Sequence, residues 1–187
     1  MNRCPWCGTD PLYVKYHDEE WGVPVQDDNR HFEFLVLESM QAGLSWYIVL
    51  KKRENFRKAF AGFKPEQVAV FDHLKIESLV QDAGIIRNRA KIMAAVNNAG
   101  RFLEVQEEFG SFNEYIWGFV GHQPIINHWN ELSQIPVSTP LSYQVSKDMK
   151  QRGFKFLGTT VMYAHMQAIG MINDHLTGCV RWKQVQE

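Results

Sequence analysis

Arg152 to Thr160 read RGFKFLGTT, and this stretch decides the fold. A basic helix, whose last part reads KDMKQRGFK (Lys147 to Lys155), ends here, a short glycine-bounded hairpin follows, and a new helix begins. The start of a helix exposes backbone N–H groups, so Gly158, Thr159 and Thr160 can hold a phosphate without reading bases. The simpler alternative for the basic run alone is a solvated helix face.

Helical periodicity dominates the rest of the chain. Caps, glycines and prolines predict helices between Asp27 or Asp28 and Gly43, between Ser45 and Gly62, from Pro65 onward, and over Ile76 to Asp82, Arg87 to Phe109, Phe112 to Val120, Pro140 to Arg152 and Gly158 to Ile169. Strand alternation is nearly absent, so we predict an all-α fold. Met1 to Val25 has no periodic apolar face, and we predict irregular chain there.

The composition predicts a protein that is soluble and intracellular, in the cytoplasm. No apolar run is long enough to span a bilayer, and no basic-then-apolar leader opens the chain. Its 187 residues suit a single domain, residues 1–187. The formal net charge of -1 gives no global attraction to nucleic acid, so any phosphate contact must come from local patches.

Three cysteines suggest metal binding rather than a secreted disulfide framework. Cys4, His17, His175 and Cys179 supply the Cys2His2 set that structural zinc prefers. His175 and Cys179 are four residues apart and would share a face if the chain there is helical. Two alternatives stay open at this point: the residues are unrelated, or Cys7 replaces His17 in a C-P-W-C half-site.

Glu38 lies near the end of its predicted helix, where a glutamate is most often solvated, and Trp46 follows a glycine-containing turn. Trp6, Tyr13, Tyr16 and Trp21 crowd the N-terminal segment, where a core is hard to build. Each of these residues has an ordinary structural explanation. Their combination matches the way flipped nucleobases are held, between rings and against a carboxylate.

Several stretches in consistent order, from Arg3 to Cys179, together resemble the 3-methyladenine DNA glycosylase I family of the helix-hairpin-helix superfamily. They are RCPW, DPLYVKYHDEEWGVP, FEFLVLESMQAGLSW, LKKRENFRKAF, DAGIIRNRAKI, RGFKFLGTT and INDHLTGC. The resemblance implies a helix-hairpin-helix fold and base excision repair: hydrolysis of the N-glycosidic bond of 3-methyladenine in double-stranded alkylated DNA, which leaves an abasic site. The free base is the product.

The resemblance also implies residue roles. One structural zinc ion per chain is expected at Cys4, His17, His175 and Cys179, joining residues 1–25 and 171–187 into one lobe. Glu38 is the expected catalytic residue, with a base pocket of Trp6, Tyr13, Tyr16, Trp21 and Trp46. The Gln41 to Leu44 turn, with Gly43, is expected to fill the gap left by the extruded nucleotide, and Lys155, Gly158, Thr159 and Thr160 to grip the DNA backbone.

Two positions depart from the wider superfamily. Asn173 falls where relatives carry a catalytic aspartate, although Asp174 is adjacent and a one-residue slip would restore the acid. Thr160 falls near the position of the lyase lysine, so no amine is evident for a Schiff base, and strand cleavage is not expected. The alternative function is a zinc-stapled helical module that binds DNA or protein without chemistry. We expect a monomer with no membrane association.

Overall fold

A computed structural model describes residues 2–186, and helices dominate this part of the chain. The α-helices are α1 (Pro11–Glu19), α2 (Asp28–Gln41), α3 (Trp46–Ala59), α4 (Pro65–Val68), α5 (His73–Gln81), α6 (Arg89–Phe109), α7 (Phe112–Gly118), α8 (Pro140–Gln151), α9 (Thr159–Ala168) and α10 (Val180–Gln184). Single 3-10 turns lie at Pro5–Cys7, Ala61–Phe63 and Leu132–Gln134. The predominantly helical fold predicted from the sequence is confirmed.

Two strands were not predicted. β1 (Ile125–Ile126) pairs in parallel with β2 (Ile172–Asn173), with Ile125 opposite Ile172. Each strand has only two residues, which is too short for any alternation of apolar and polar side chains to be visible. The pair fixes the end of the chain against the segment that precedes α8.

The prediction of irregular chain over Met1 to Val25 is wrong, because α1 lies within it. Asp10 caps this helix, its carboxylate accepting hydrogen bonds from the N–H groups of Leu12 and Tyr13. Pro11 occupies the first helical position, where its missing N–H costs nothing. The Asp-Pro start signal was present in the sequence, whereas Met1 lies outside the described residues.

The helix α2 forms the centre of the fold. All of its residues from His31 to Met40 are buried, so neighbouring helices cover it on every side. Glu33 on this helix is 3% exposed and accepts hydrogen bonds from the guanidinium groups of Arg53 and Arg57 on α3. The central position of α2 also removes the Glu38 carboxyl group from water.

The hairpin between α8 and α9 is anchored to the long helix α6. Phe154 and Leu157 are buried, and the Asn98 side chain on α6 makes hydrogen bonds to both the N–H and the C=O of Lys155. The Ser146 hydroxyl on α8 donates to the Leu157 carbonyl at 2.7 Å. The hairpin is therefore a rigid projection.

Both ends of the described chain lie together. The N–H of Val180 donates to the carbonyl of Asn2, and the Asn2 side chain donates to the carbonyl of Gly178. Gly170 has φ +75°, and a Cβ there would lie 2.5 Å from the backbone of Val23 and Pro24. Only glycine permits this close approach of the N-terminal segment to the end of α9.

Between residues 2 and 186, no helix has both the length and the apolar character needed to cross a bilayer.

Candidate active site

A recess of about 330 Å³ lies where the N-terminal segment, α2, α3 and α9 meet. The structure brings together in its wall the acid and the five aromatic residues that the resemblance assigned to the base pocket: Trp6, Tyr13, Tyr16, Trp21, Glu38 and Trp46. Gln41, from the adjoining turn, lines it too. Proximity is thus established for the whole set, while the role of each residue stays a prediction.

The aromatic part of the wall is continuous. Tyr13 and Tyr16, three residues apart on α1, lie on one face of that helix. Trp6 packs against Tyr13 with ring centroids 5.1 Å apart and against Trp21 at 4.9 Å. Tyr16 in turn lies 5.3 Å from Trp46, the first residue of α3. These rings present electron-rich faces, which attract cations.

Glu38 is 4% exposed, although a glutamate near the end of a helix is usually solvated. Burial alone raises the pKa of its carboxyl group to about 8. A carboxyl group in this setting is largely protonated at neutral pH and gains most from ionising when a positive charge arrives beside it. The recess therefore combines electron-rich rings with an acid that a bound cation would ionise.

Trp46 also has an unsatisfied hydrogen-bond donor. Its indole Nε1 is buried and has no acceptor among residues 2–186. A buried donor without an acceptor costs free energy.

Neither Asn173 nor Asp174 lines the recess. The Asn173 amide donates to the carbonyl of Trp182, and its oxygen accepts from the N–H of His175. Asn173 therefore stabilises the local turn, and its side chain has no carboxyl group that could act in catalysis.

Asp174 is 1% exposed, and four donors surround its carboxylate. The Asn127 amide and the Trp129 indole donate to Oδ1, each at 2.7 Å. The Tyr163 hydroxyl donates to Oδ2 at 2.6 Å and the Gln167 amide at 2.7 Å. With this many partners, Asp174 fixes the residues around Gln167 and is not available to accept a proton as a general base. A one-residue shift of the alignment would place Asp174 at the position of the catalytic aspartate, but the oxygens of its carboxylate are already occupied by these hydrogen bonds.

The four candidate metal ligands converge, and their ligand atoms all lie within 4.8 Å of one another. The Sγ of Cys179 lies 3.5 Å from Nε2 of His17 and 3.7 Å from Nδ1 of His175. The Sγ of Cys4 lies 3.6 Å from the same Nδ1. A tetrahedral zinc site with Zn–S of about 2.3 Å and Zn–N of about 2.0 Å separates sulfur from nitrogen by about 3.5 Å. The donor set therefore fits zinc.

The second nitrogen of each histidine has a partner. Nδ1 of His17 donates to Asp18, which is itself held by Arg3, and Nε2 of His175 donates to the carbonyl of Trp21 at 3.0 Å. These contacts orient the rings so that Nε2 of His17 and Nδ1 of His175 face the two sulfurs. Supporting contacts of this kind are typical of metal-ligating histidines.

The two thiols are neighbours, and their pKa values shift in opposite directions. The Cys4 thiol lowers the pKa of Cys179, and His17 and His175 lower it further. Cys179 and burial raise the pKa of Cys4. A thiolate beside two imidazole nitrogens is the ionisation state that binds zinc.

The structure answers two questions about the cluster that the sequence left open. Residues 175–179 form a turn rather than a helix, since α10 begins only at Val180 with Cys179 as its cap. His175 and Cys179 meet because the chain folds back. Cys7 does not join the cluster, because its thiol donates to the carbonyl of Cys4 at 3.2 Å.

The turn after α2 projects beside the recess. Ala42 at φ -46°, ψ 116° and Gly43 at φ +83° form a type II turn, closed by a hydrogen bond from Leu44 N–H to the carbonyl of Gln41. The positive φ explains why glycine stands there. Leu44 is 39% exposed.

At the hairpin, Lys155, Gly158 and Thr160 are exposed and Thr159 is half-buried. Gly158 caps α9 and has no side chain that could accept from the N–H groups of the first turn. Binding of a phosphate at these residues stays a prediction.

Sequence reasoning missed four residues of the recess wall: Leu132, Ile135, Ala164 and Gln167. Ala164 and Gln167 are three residues apart on α9, so a helical-wheel inspection could have paired them. Leu132 and Ile135 lie at and just after a 3-10 turn in a loop, where no periodicity exists to mark them.

Comparison with known proteins agrees with this arrangement. Residues 6–182 match the family model described as methyladenine glycosylase. The chain belongs to the methyladenine glycosylase family. Within this family it is 51% identical over 179 residues to the DNA-3-methyladenine glycosylase 1 of Escherichia coli (strain K12), covering 96% of each chain.

Two further members of the methyladenine glycosylase family are also close. The DNA-3-methyladenine glycosylase of Haemophilus influenzae is 46% identical over 177 residues, covering 95% of this chain and 96% of its own. A structure of 3-methyladenine DNA glycosylase I from Staphylococcus aureus, solved to explain 3-methyladenine recognition, superposes with a TM-score of 0.93 at 38% identity and covers 96% of each chain. The family therefore accounts for nearly the whole chain.

Proposed function

We propose that this chain is a monofunctional DNA glycosylase that hydrolyses the N-glycosidic bond of 3-methyladenine in alkylated DNA and leaves an abasic site. The observation that carries this function is the buried Glu38 carboxyl group in an aromatic recess, in a chain whose relatives bear the name of this activity. We further propose that residues 1–187 act as one domain and as a monomer on double-stranded DNA.

The chemistry follows from the substrate. Methylation at N3 makes the adenine of DNA a cation and a good leaving group, so the bond can ionise without protonation of the base. Discrimination then falls to the pocket. Each ring contributes a cation-π attraction of about 0.5–2 kcal/mol, stronger where water is excluded. Neutral adenine loses this attraction but still has to leave the base stack.

Glu38 is assigned the catalytic role in this mechanism. The arriving cation favours ionisation of the carboxyl group, and the resulting carboxylate hydrogen-bonds the base and balances its charge. Trp6, Tyr13, Tyr16, Trp21 and Trp46 enclose the base. Water completes hydrolysis at the sugar.

The turn and the hairpin are assigned to DNA. Leu44, carried on the turn with Gln41 and Gly43, fills the space that the extruded nucleotide leaves. Lys155 and the start of α9, with Gly158, Thr159 and Thr160, bind a phosphate of the backbone. Because Thr160 offers no amine, no Schiff base forms and the strand is not cut.

We assign zinc to the Cys4, His17, His175 and Cys179 cluster. When bound, the ion supplies cross-linking only, because four protein ligands leave no open position for a reacting water. Two of the ligands support the recess wall directly: the His17 ring packs against Trp6, and the His175 ring packs against Trp21.

A base-release assay tests the function. Methylated duplex DNA is incubated with the protein, and free bases and abasic sites are quantified by mass spectrometry. We expect 3-methyladenine and abasic sites in equal amounts, with uncut strands. Intact bases after prolonged incubation would reject the proposal and favour a zinc-stapled binding module. Titration of free 3-methyladenine against tryptophan fluorescence separates the two further, since a binding module has no need to admit a free base.

A further inference from the structure

The buried ammonium group of Lys91 lies under the turn that follows α2. Lys91 is the third residue of α6, yet its side chain is 7% exposed. Lysine is almost never fully buried without partners, since removing an ammonium group from water costs several kcal/mol. Its burial therefore requires an explanation.

The partners of Lys91 are backbone carbonyls of the turn. Its Nζ donates to the carbonyl of Met40 at 2.9 Å and to that of Ala42 at 2.6 Å. The carbonyl between them, that of Gln41, accepts from the N–H of Leu44 at 2.6 Å. Three consecutive carbonyls at the end of α2 are thus fixed, two of them by one charge. A cation at a helix C-terminus is also favoured by the helix dipole.

The turn needs such an anchor. Ala42, Gly43 and Leu44 are all exposed, and glycine is the most flexible residue in a backbone. Ala42 is the C-cap, where helix carbonyls usually turn to water. A lysine reaching from the rigid start of α6, which Asn88 caps, makes the turn a fixed part of the scaffold.

We propose that Lys91 is a positioning residue that holds the Gln41–Leu44 turn in the shape that enters the duplex. This inference rests on the function proposed above. Lys91 is neither a lining residue of the recess nor one of the four candidate metal ligands. Gln41 is the one residue of the turn that lines the recess. We therefore expect the loss of Lys91 to act mainly on the steps in which the turn meets paired DNA, and to change binding of the free base little.

The test compares paired and unpaired substrates. Excision of 3-methyladenine is measured for the wild type, Lys91→Met and Lys91→Arg, with the lesion in a duplex and in a single strand. We expect Lys91→Met to lower kcat/KM on the duplex by about 10-fold, the scale of one charge-assisted hydrogen bond. The single-strand value and the fluorescence-measured Kd for free 3-methyladenine should change less than about 2-fold. Lys91→Arg should restore most of the duplex rate.

Lys52→Met is the matched control, because Lys52 also donates to a backbone carbonyl, that of Ala83, away from the turn. Equal losses on both substrates, or no loss on the duplex, would overturn the role of Lys91. If Lys91→Met does not fold, Lys91→Gln, which keeps one donor, is measured by the same criteria. A wild type that releases no base from either substrate would instead reject the proposed glycosylase function.

Discussion

The Sγ of Cys179 lies 3.5 Å from Nε2 of His17, although 162 positions of sequence separate the two residues. The folded chain thus brings a donor pair together that no local motif contains. Closing so long a loop with a metal ion would restrict the unfolded chain strongly.

Metal analysis tests this cluster. We expect one zinc ion per chain by inductively coupled plasma mass spectrometry, lost in Cys4→Ser and retained in Cys7→Ser, whose thiol donates to the backbone carbonyls of Cys4 and Gly8. Zinc at 1,000 times its Kd would stabilise the fold by about 4 kcal/mol, so chelation should lower Tm. If the purified protein contains no zinc and chelation leaves its Tm unchanged, the four residues do not form a structural zinc site.

Excision should depend on pH through Glu38. In the proposed mechanism the carboxylate is the active form, and burial raises the pKa of this group to about 8 in the free protein. We therefore expect kcat/KM to fall as the pH drops below about 8. The bound cation lowers the pKa in the complex, so kcat should persist to lower pH. Identical profiles for the two parameters would argue against ionisation on binding.

Gly43→Ala should weaken the turn. At φ +83° with nothing within 4 Å of an added Cβ, the penalty is conformational only, about 1 kcal/mol of unfolding free energy. Duplex excision should fall as well. Gly100→Ala, in the interior of α6 and equally free of clashes, is the control and should stabilise the protein by up to about 1 kcal/mol. Denaturant titration measures the unfolding free energy of both variants. Equal changes in the two would contradict a conformational requirement for glycine at position 43.

Acid should destabilise the fold through His165. Both ring nitrogens are buried without a partner among residues 2–186, and burial lowers the pKa well below its usual value. The folded state keeps the ring neutral while the unfolded state takes up a proton below about pH 6.5, so stability is full above that pH and falls below it. His165→Leu should remove this part of the loss and stabilise the protein by about 1 kcal/mol at pH 7. A pH-stability curve identical to that of the wild type would refute this.

The sequence predicted most of the helices, because caps and periodicity are local properties. It also predicted which aromatic residues share a site, although this came from the family resemblance rather than from spacing. What it could not predict depends on distant contacts. The burial of Glu38 arises from helices packed around α2, and the hydrogen bonds that occupy Asp174 come from four separate positions. Leu132 joined the recess from a loop without any periodic signal.

The most direct measurement of the central claim is the single-turnover rate of 3-methyladenine release by Glu38→Gln at pH 9, where the wild-type carboxyl group is ionised. Glutamine keeps the shape and the hydrogen-bonding oxygen but cannot carry the charge. We expect a rate about 100-fold below that of the wild type, the scale of one preorganised electrostatic partner, with unchanged zinc content and Tm. A variant as fast as the wild type would contradict the claim that a buried carboxylate in an aromatic recess drives excision.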